Sequence, residues 1–213
     1  MSMLSAVSIR KRLRARNVKR RLFLAPLLEP EEQLRDHQAC VDIKLGTAFR
    51  IAVPALDDTV DTLQTRVMSE ARRYNRFYVP LGGFIVAHPH QLILGQSLEY
   101  MRFPFDLAGY VVGRSSWGRL GLIVATAVGI HPGFSGVLTL ELRNLGELPL
   151  RLYPGDTIAQ LFLHDVGEAP LASTSEGQFA GSTSPRLGKL RYSATERRLS
   201  ALKSHYEARA RTS

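Results

Sequence analysis

The sequence contains one cysteine, Cys40, in 213 residues. An intrachain disulfide is therefore impossible, and so is a zinc site built mainly from thiolates. The zinc deaminase pattern, His-x-Glu followed by Pro-Cys-x-x-Cys, is excluded for the same reason. Also absent are a Gly-x-Ser-x-Gly nucleophile elbow, a phosphate loop ending in Gly-Lys-Ser/Thr and a dinucleotide glycine fingerprint. Two long stretches, Phe77–Leu98 and Leu120–Leu140, carry no Asp, Glu, Lys or Arg, but Pro80, Pro89 and Pro132 interrupt them as spanning helices. Met1–Val7 is too short and polar for the apolar region of a signal peptide. The expectation is a protein of the reducing cytoplasm with no membrane partner.

What is present is an ordinary globular composition, 45% hydrophobic and 22% charged. The net charge of +9 is distributed unevenly. Residues 10–21 hold eight basic side chains and no acidic one, and residues 186–213 hold eight basic and two acidic. Residues 22–185 hold twelve basic and seventeen acidic. Basic ends on an acidic body read as interaction tails rather than a basic groove, which argues against nucleic acid as the partner.

Ser5 or Ser8 caps a short helix running to about Arg16, with Ile9 and Leu13 on one face and Asn17 as the stop. Leu22–Leu24 reads as a strand ended by Pro26, Glu29–Leu34 as an acidic turn and Cys40–Phe49 as one half-buried strand with Val41, Ile43 and Leu45 inward. Residues 57–76 are polar and read as a short helix or an excursion. Strands follow at Phe84–Ala87, Gln91–Leu94, Ala108–Val112, Gly136–Arg143, Leu148–Leu152 and Thr157–His164, with one short helix near Ser115–Leu122. Short strands separated by Pro/Gly turns imply a mainly β jelly roll or barrel with a few short helices. Residues 1–170 are expected to form this domain, including the basic N-terminal helix, and 171–213 a mobile basic tail with a helix over 194–210.

Three places could carry chemistry. Gly113-Arg114-Ser115-Ser116 through Arg119 ends a strand at a glycine, sets two hydroxyls where a helix begins and spaces two guanidinium groups five residues apart. It is either an anion cradle or a capped turn. On the strand around Glu141, alternation puts Thr139, Glu141 and Arg143 opposite Leu138, Leu140 and Leu142. Glu141 then either faces solvent beside Arg143 or lines a pocket, where a raised pKa would let it carry protons. His131, before Pro132-Gly133, is a turn residue that could reach a sugar hydroxyl. His88 and His90 flank Pro89 without a third ligand at metal spacing.

Taken in order, these pieces resemble the dCTP deaminase branch of the trimeric dUTPase-like family, from Val7 to about Gly188. The resemblance rests on Val41-Asp42-Ile43-Lys44-Leu45-Gly46, Gly113–Gly121, Thr126-Ala127, Ile130–Phe134, the Glu141 strand and Pro154-Gly155-Asp156-Thr157-Ile158-Ala159-Gln160-Leu161. It implies a dUTPase-like distorted jelly roll, a homotrimer with sites at subunit interfaces and zinc-independent hydrolysis of dCTP to dUTP and ammonia, a hydrolase acting on a cyclic amidine C–N bond. It implies Glu141 as proton carrier, Ser115 and Arg119 as holders of the attacking water, and Arg114 and Ser116 on the triphosphate, with Mg²⁺ bridging its oxygens. Thr126 and Ala127 fall where the family chain passes the base.

This chain departs from the family pattern in three places. His131 stands where relatives carry an acidic residue before Pro-Gly. In dUTPases that residue serves the water attacking phosphate, so His131 argues against a dUTPase or bifunctional activity and leaves imidazole to meet the sugar hydroxyl. The segment from Arg119 to Thr126 is one residue shorter than in many deaminases. The closing segment is Gln178-Phe179-Ala180-Gly181-Ser182, without the family's lysine and final glutamine, leaving Arg186 or Lys189 as substitute cations. These departures also fit the rival reading, a non-catalytic nucleotide-binding or regulatory protein on the same fold.

Overall fold

The computed structural model describes residues 2–52, 74–125, 129–167 and 181–186, with the single positions 194, 198 and 202. The strands are β1 (Ser2–Met3), β2 (Phe23–Ala25), β3 (Cys40–Lys44), β4 (Ala48–Ala52), β5 (Tyr74–Tyr78), β6 (Ile85–Ala87), β7 (Leu92–Arg102), β8 (Leu107–Gly113), β9 (Leu122–Val124), β10 (Gly129–Ile130), β11 (Ser135–Asn144), β12 (Leu150–Leu152) and β13 (Thr157–Asp165). Among the described residues of this body, short helices join them: α1 (Ala6–Leu13), α2 (Pro30–Gln33) and α3 (Ser115–Arg119). One sheet has β13 at its centre, paired with β1, β3 and β8, and β8 carries β10. The other runs β5-β4-β7-β11-β9 with β2 also on β7, and β12 pairs with β6. Two such sheets of antiparallel pairs over one core make the distorted jelly roll that the strand-and-turn pattern implies. These elements lie in a unit of Met1–Ala52 with Asn75–Arg186; a second unit, Val53–Tyr74 with Leu187–Ser213, falls almost wholly outside the described residues. Of the segment 57–76, expected as a short helix or an excursion, residues 57–73 fall there too, while 74–76 belong to β5; of the helix expected over 194–210, the described positions 194, 198 and 202 are helical and the rest fall outside.

Alternation sets the core. Val41 and Ile43 of β3, Ile93 of β7, Leu140 and Leu142 of β11, and Ile158, Leu161 and Leu163 of β13 are fully buried. Each such side chain contributes roughly 1.5–3 kcal/mol on burial. The expected single strand Cys40–Phe49 is instead two, because the chain changes sheets at Gly46. Leu45 exchanges backbone hydrogen bonds with the loop before β13, its N–H donating to Asp156 O (2.8 Å) and its O accepting from Gly155 N–H (2.7 Å). One residue later Gly46 N–H donates to Gln96 O of β7 (2.7 Å). A Cβ at Gly46 would lie 2.7 Å from Gln96 Cγ and 2.9 Å from Ser97 O, so only glycine fits this corner.

α1 starts where expected, with Ser5 Oγ accepting from Ser8 N–H at 3.3 Å, but ends at Leu13 rather than Arg16. Leu22 N–H donates to Arg12 O (3.2 Å), so the returning chain takes the carbonyl that another helical turn would use. Part of the basic N-terminal segment is fixed to the body. Arg12 bonds Asp106 (2.7 Å) and Asp165 (2.9 Å), and Arg10 pairs with Asp36.

β7 runs eleven residues, well past the expected Gln91–Leu94. Its register against β11 jumps: Val137 faces Tyr100 but Thr139 faces Gln96, so Ser97-Leu98-Glu99 bulges opposite Leu138. Ser97 Oγ repairs the break, accepting from Leu138 N–H (2.9 Å) and donating to Glu99 O (2.8 Å). The bulge buries Glu99 completely. Its carboxylate accepts from Gln33 Nε2 of α2 (2.7 Å) and from Lys44 N–H of β3 (3.2 Å). Loss of water raises the Glu99 pKa from 4.5 to about 7, against the hydrogen bonds that lower it. The native state thus holds a proton that the unfolded chain releases between these values, and stability falls as pH rises through that window. Removing the titration with Glu99→Gln should abolish its share of this decline, up to roughly 3 kcal/mol. Melting temperatures of the two proteins from pH 5 to pH 8 should diverge as pH rises; parallel curves would refute the assignment.

Candidate active site

β8 ends at Gly113, where an added Cβ would sit 3.2 Å from the Val124 side chain. This close approach brings the start of α3 to the end of β9. Arg114 is the extended residue before the helix (φ −74°, ψ 137°), and its N–H donates to Ile158 O at 3.2 Å. Trp117 pins the single helical turn from the other side, its Nε1–H donating to Thr157 O at 2.8 Å. Ser115, Ser116 and Arg119 are exposed.

The expected helix to Leu122 stops at Arg119 because Gly121 has φ +91°. A Cβ at Gly121 would meet Gly146 N at 2.5 Å, and Leu145 N–H donates to Gly121 O at 2.8 Å. The two glycines let the loop after α3 lie directly on the turn after β11. Asn144 fixes that turn: its Oδ1 accepts from Gly146 N–H (2.9 Å), and its Nδ2 donates to Ala87 O and Leu148 O (2.8 Å each). From this junction β9 runs antiparallel to β11, with Val124 opposite Leu142, and Ala125 N–H donates to Glu141 O at 2.7 Å. Glu141 is half-buried on the polar face of β11, with Leu140 and Leu142 fully buried on the other. The expected alternation therefore holds. Arg114 thus follows the end of β8 that packs on Val124, and Glu141 lies within β11 opposite the residue after Val124.

Arg114 has a partner that sequence reading missed. Its Nη1 donates to Asp42 Oδ2 at 2.7 Å. Asp42, 3% exposed, also takes Gln160 Nε2 on Oδ1 at 3.0 Å. The same amide points at Cys40 Sγ (3.4 Å), and burial, then the Asp42 charge, push the Cys40 thiol up. The only sequence signal for Asp42 was a carboxylate inside an otherwise apolar alternation. Nothing local pointed to Arg114, 72 residues away.

His131 and Ser182 lie at the other end of β11. His131 is exposed in the turn after β10, where Phe134 N–H donates to His131 O at 3.2 Å. Glu141 lies six positions along the strand from Ser135, a span of about 20 Å. Ser182 is buried and pairs in parallel with Gly136, its O accepting from Val137 N–H at 2.8 Å. Arg186 N–H donates to Thr139 Oγ1 at 3.1 Å, one position along the polar face from Glu141. Thr126, Ala127, Gln178 and Phe179 lie outside the described residues.

Among the described residues no helix is long and apolar enough to cross a membrane, and no three His, Cys, Asp or Glu side chains cluster to hold a metal ion.

The chain is thus a distorted jelly roll, an antiparallel β domain with a Gly-Arg-Ser-Ser turn near a strand that carries a half-buried glutamate. Its fold is that of the solved 2′-deoxycytidine 5′-triphosphate deaminase from Agrobacterium tumefaciens, at TM-score 0.57 and 20% identity over 79% of this chain; this chain spans 49% of that one. The chain belongs to the dCTP deaminase-like family, whose profile matches residues 3–166. It is 34% identical over 191 residues to the dCTP deaminase of Natronomonas pharaonis, covering 88% of this chain and 94% of that relative. It is 36% identical over 160 residues to a dUMP-forming dCTP deaminase of Mycobacterium sp. (strain KMS), covering 71% of this chain and 82% of that one.

Because the Gly121–Gly146 contact joins α3 to the end of β11, Gly121→Ala should destabilise the fold by about 2 kcal/mol, through strained backbone and a clash. Chemical denaturation measures this; an unchanged midpoint would show that the junction is not tight.

Proposed function

We propose that this protein deaminates dCTP hydrolytically, with Glu141 as the proton carrier. The observation that carries the reading is the half-buried Glu141 set one strand away from the Arg114–Arg119 turn, in a chain of the dCTP deaminase-like family. A carboxylate partly withdrawn from water is suited to general base and acid work. Glu141 takes a proton from water as its oxygen attacks C4 of the cytosine. Glu141 passes that proton to N3 as the C4–N3 double bond opens, then takes the second proton from the new C4 hydroxyl and delivers it to the amino group as C4=O forms. The C4–N bond breaks, ammonia leaves and a uracil nucleotide remains. Ser115 and Arg119 hold the water and keep the glutamate poised, while Arg114 and Ser116 meet the triphosphate.

Mg²⁺ would enter with the substrate in this reading and would neutralise part of the triphosphate charge beside Arg114 and Ser116. Asp42, the buried carboxylate near α3, is already engaged by Arg114 and Gln160. A cation that enters with the nucleotide needs no carboxylate cage. His131 and Ser182 lie far from Glu141 within one chain, so a site using all of them draws on neighbouring copies, and a cytoplasmic homotrimer is the assembly we propose. Thr126 and Ala127 would line the base, and Gln178, Phe179 and Ser182 would close over the nucleotide. The second reading is a dUMP-forming enzyme, favoured by the Mycobacterium relative's name; His131 opposes it, because imidazole replaces the carboxylate expected to serve phosphate hydrolysis.

Purified protein with dCTP and Mg²⁺ should release ammonia. Glu141→Gln should keep the melting temperature and lose at least about a hundredfold in kcat. A folded wild type that binds nucleotide without turnover would select the regulatory reading, and full activity in Glu141→Gln would remove Glu141 from its role.

A further inference from the structure

Among the described residues, one of the five donors on the Arg114 guanidinium is engaged, through Asp42, and the side chain is 31% exposed. Asp42 itself is held from several directions. Gln160 stands opposite it in the β3–β13 register and beside Val112 of β8, so three adjacent strands bring Asp42, Gln160 and Arg114 to one face of the sheet. Below them Gln33 Nε2 donates to Asp42 O at 3.0 Å and ties that backbone to Glu99. A buried carboxylate fixed at both oxygens is a rigid anchor, whereas an arginine on an exposed turn is by itself a loose one.

We propose that Asp42 is a positioning residue, whose carboxylate holds the plane of the Arg114 guanidinium so that its remaining donors face the nucleotide phosphates. The proposal rests on the deaminase reading for its natural ligand. It commits to a sign that simple charge counting reverses. Removing the negative charge beside Arg114 would tighten anion binding if net charge governed the cradle. It will weaken binding if orientation governs, because the ligand must then order a long side chain itself.

The test is Asp42→Asn, nearly isosteric and able to keep a contact with Gln160. We expect KM for dCTP to rise about tenfold with kcat within about twofold, since only uniform binding is lost. Arg114→Lys should reproduce the rise, because an ammonium cannot present a planar fork. Gln160→Met, which frees Asp42 without removing it, should give a smaller rise and carries the test if Asp42→Asn fails to fold. An unchanged or lower KM overturns the proposal, as does a fall in kcat at constant KM. If the wild type turns over no dCTP, the deaminase reading fails by itself, and calorimetry with inorganic tripolyphosphate decides. About tenfold weaker binding by Asp42→Asn then supports the role; equal or tighter binding, or none by the wild type, ends it.

Discussion

The register of β11 governs everything that follows from this fold. Leu140 and Leu142 are fully buried while Glu141 between them is half-buried on the opposite face, and a slip of one residue would drive the carboxylate into the core. The strand is held against such a slip by β7 on one side and β9 on the other. The bulge at Ser97–Glu99 fixes the pairing further, because Ser97 closes the one gap in the ladder and no other alignment offers it the Leu138 amide. The position of the proposed proton carrier is thus a consequence of apolar packing on the other side of the strand.

A second constraint is steric. Gly46, Gly113 and Gly121 stand where backbone approaches backbone or a packed side chain, and each carries one connection: the crossing between sheets, the approach of β8 to β9 and the seat of α3 on the β11 turn. The polar groups then fill in around this frame. Glu99 joins β7 to α2 and β3, and Asp42 joins β3 to the start of α3. The site is therefore wired into the body through buried hydrogen bonds rather than carried on a free loop.

Much of this was legible in the sequence, for physical reasons. Alternation in Val41-Asp42-Ile43 and Leu138–Leu142 gave strands and their inward faces, and Ser5 gave the start of α1. Besides the end of α1 and the break between β3 and β4, two boundaries differ for reasons that only the fold supplies. β7 was cut short at Leu94 because Gly95, Gln96 and Ser97 look like a turn when their bulge partner, 41 residues away, is unknown. The α3 helix was carried past Gly121 to Leu122, the first residue of β9, because a glycine inside a short apolar run fits either a helix end or a break, and only its contact with Gly146 decides. The Asp42–Arg114 pair was invisible for the same reason, being a product of strand order. The basic N-terminal segment read as a tail because its acidic partners, Asp106 and Asp165, are remote in sequence.

The central claim is that water attacks carbon and not phosphorus. Turnover of dCTP in oxygen-18-labelled water tests this most directly. One labelled oxygen is expected at C4 of the uracil product, matched by one ammonia, with no label on phosphorus. Label confined to phosphate or pyrophosphate with the cytosine intact would contradict it.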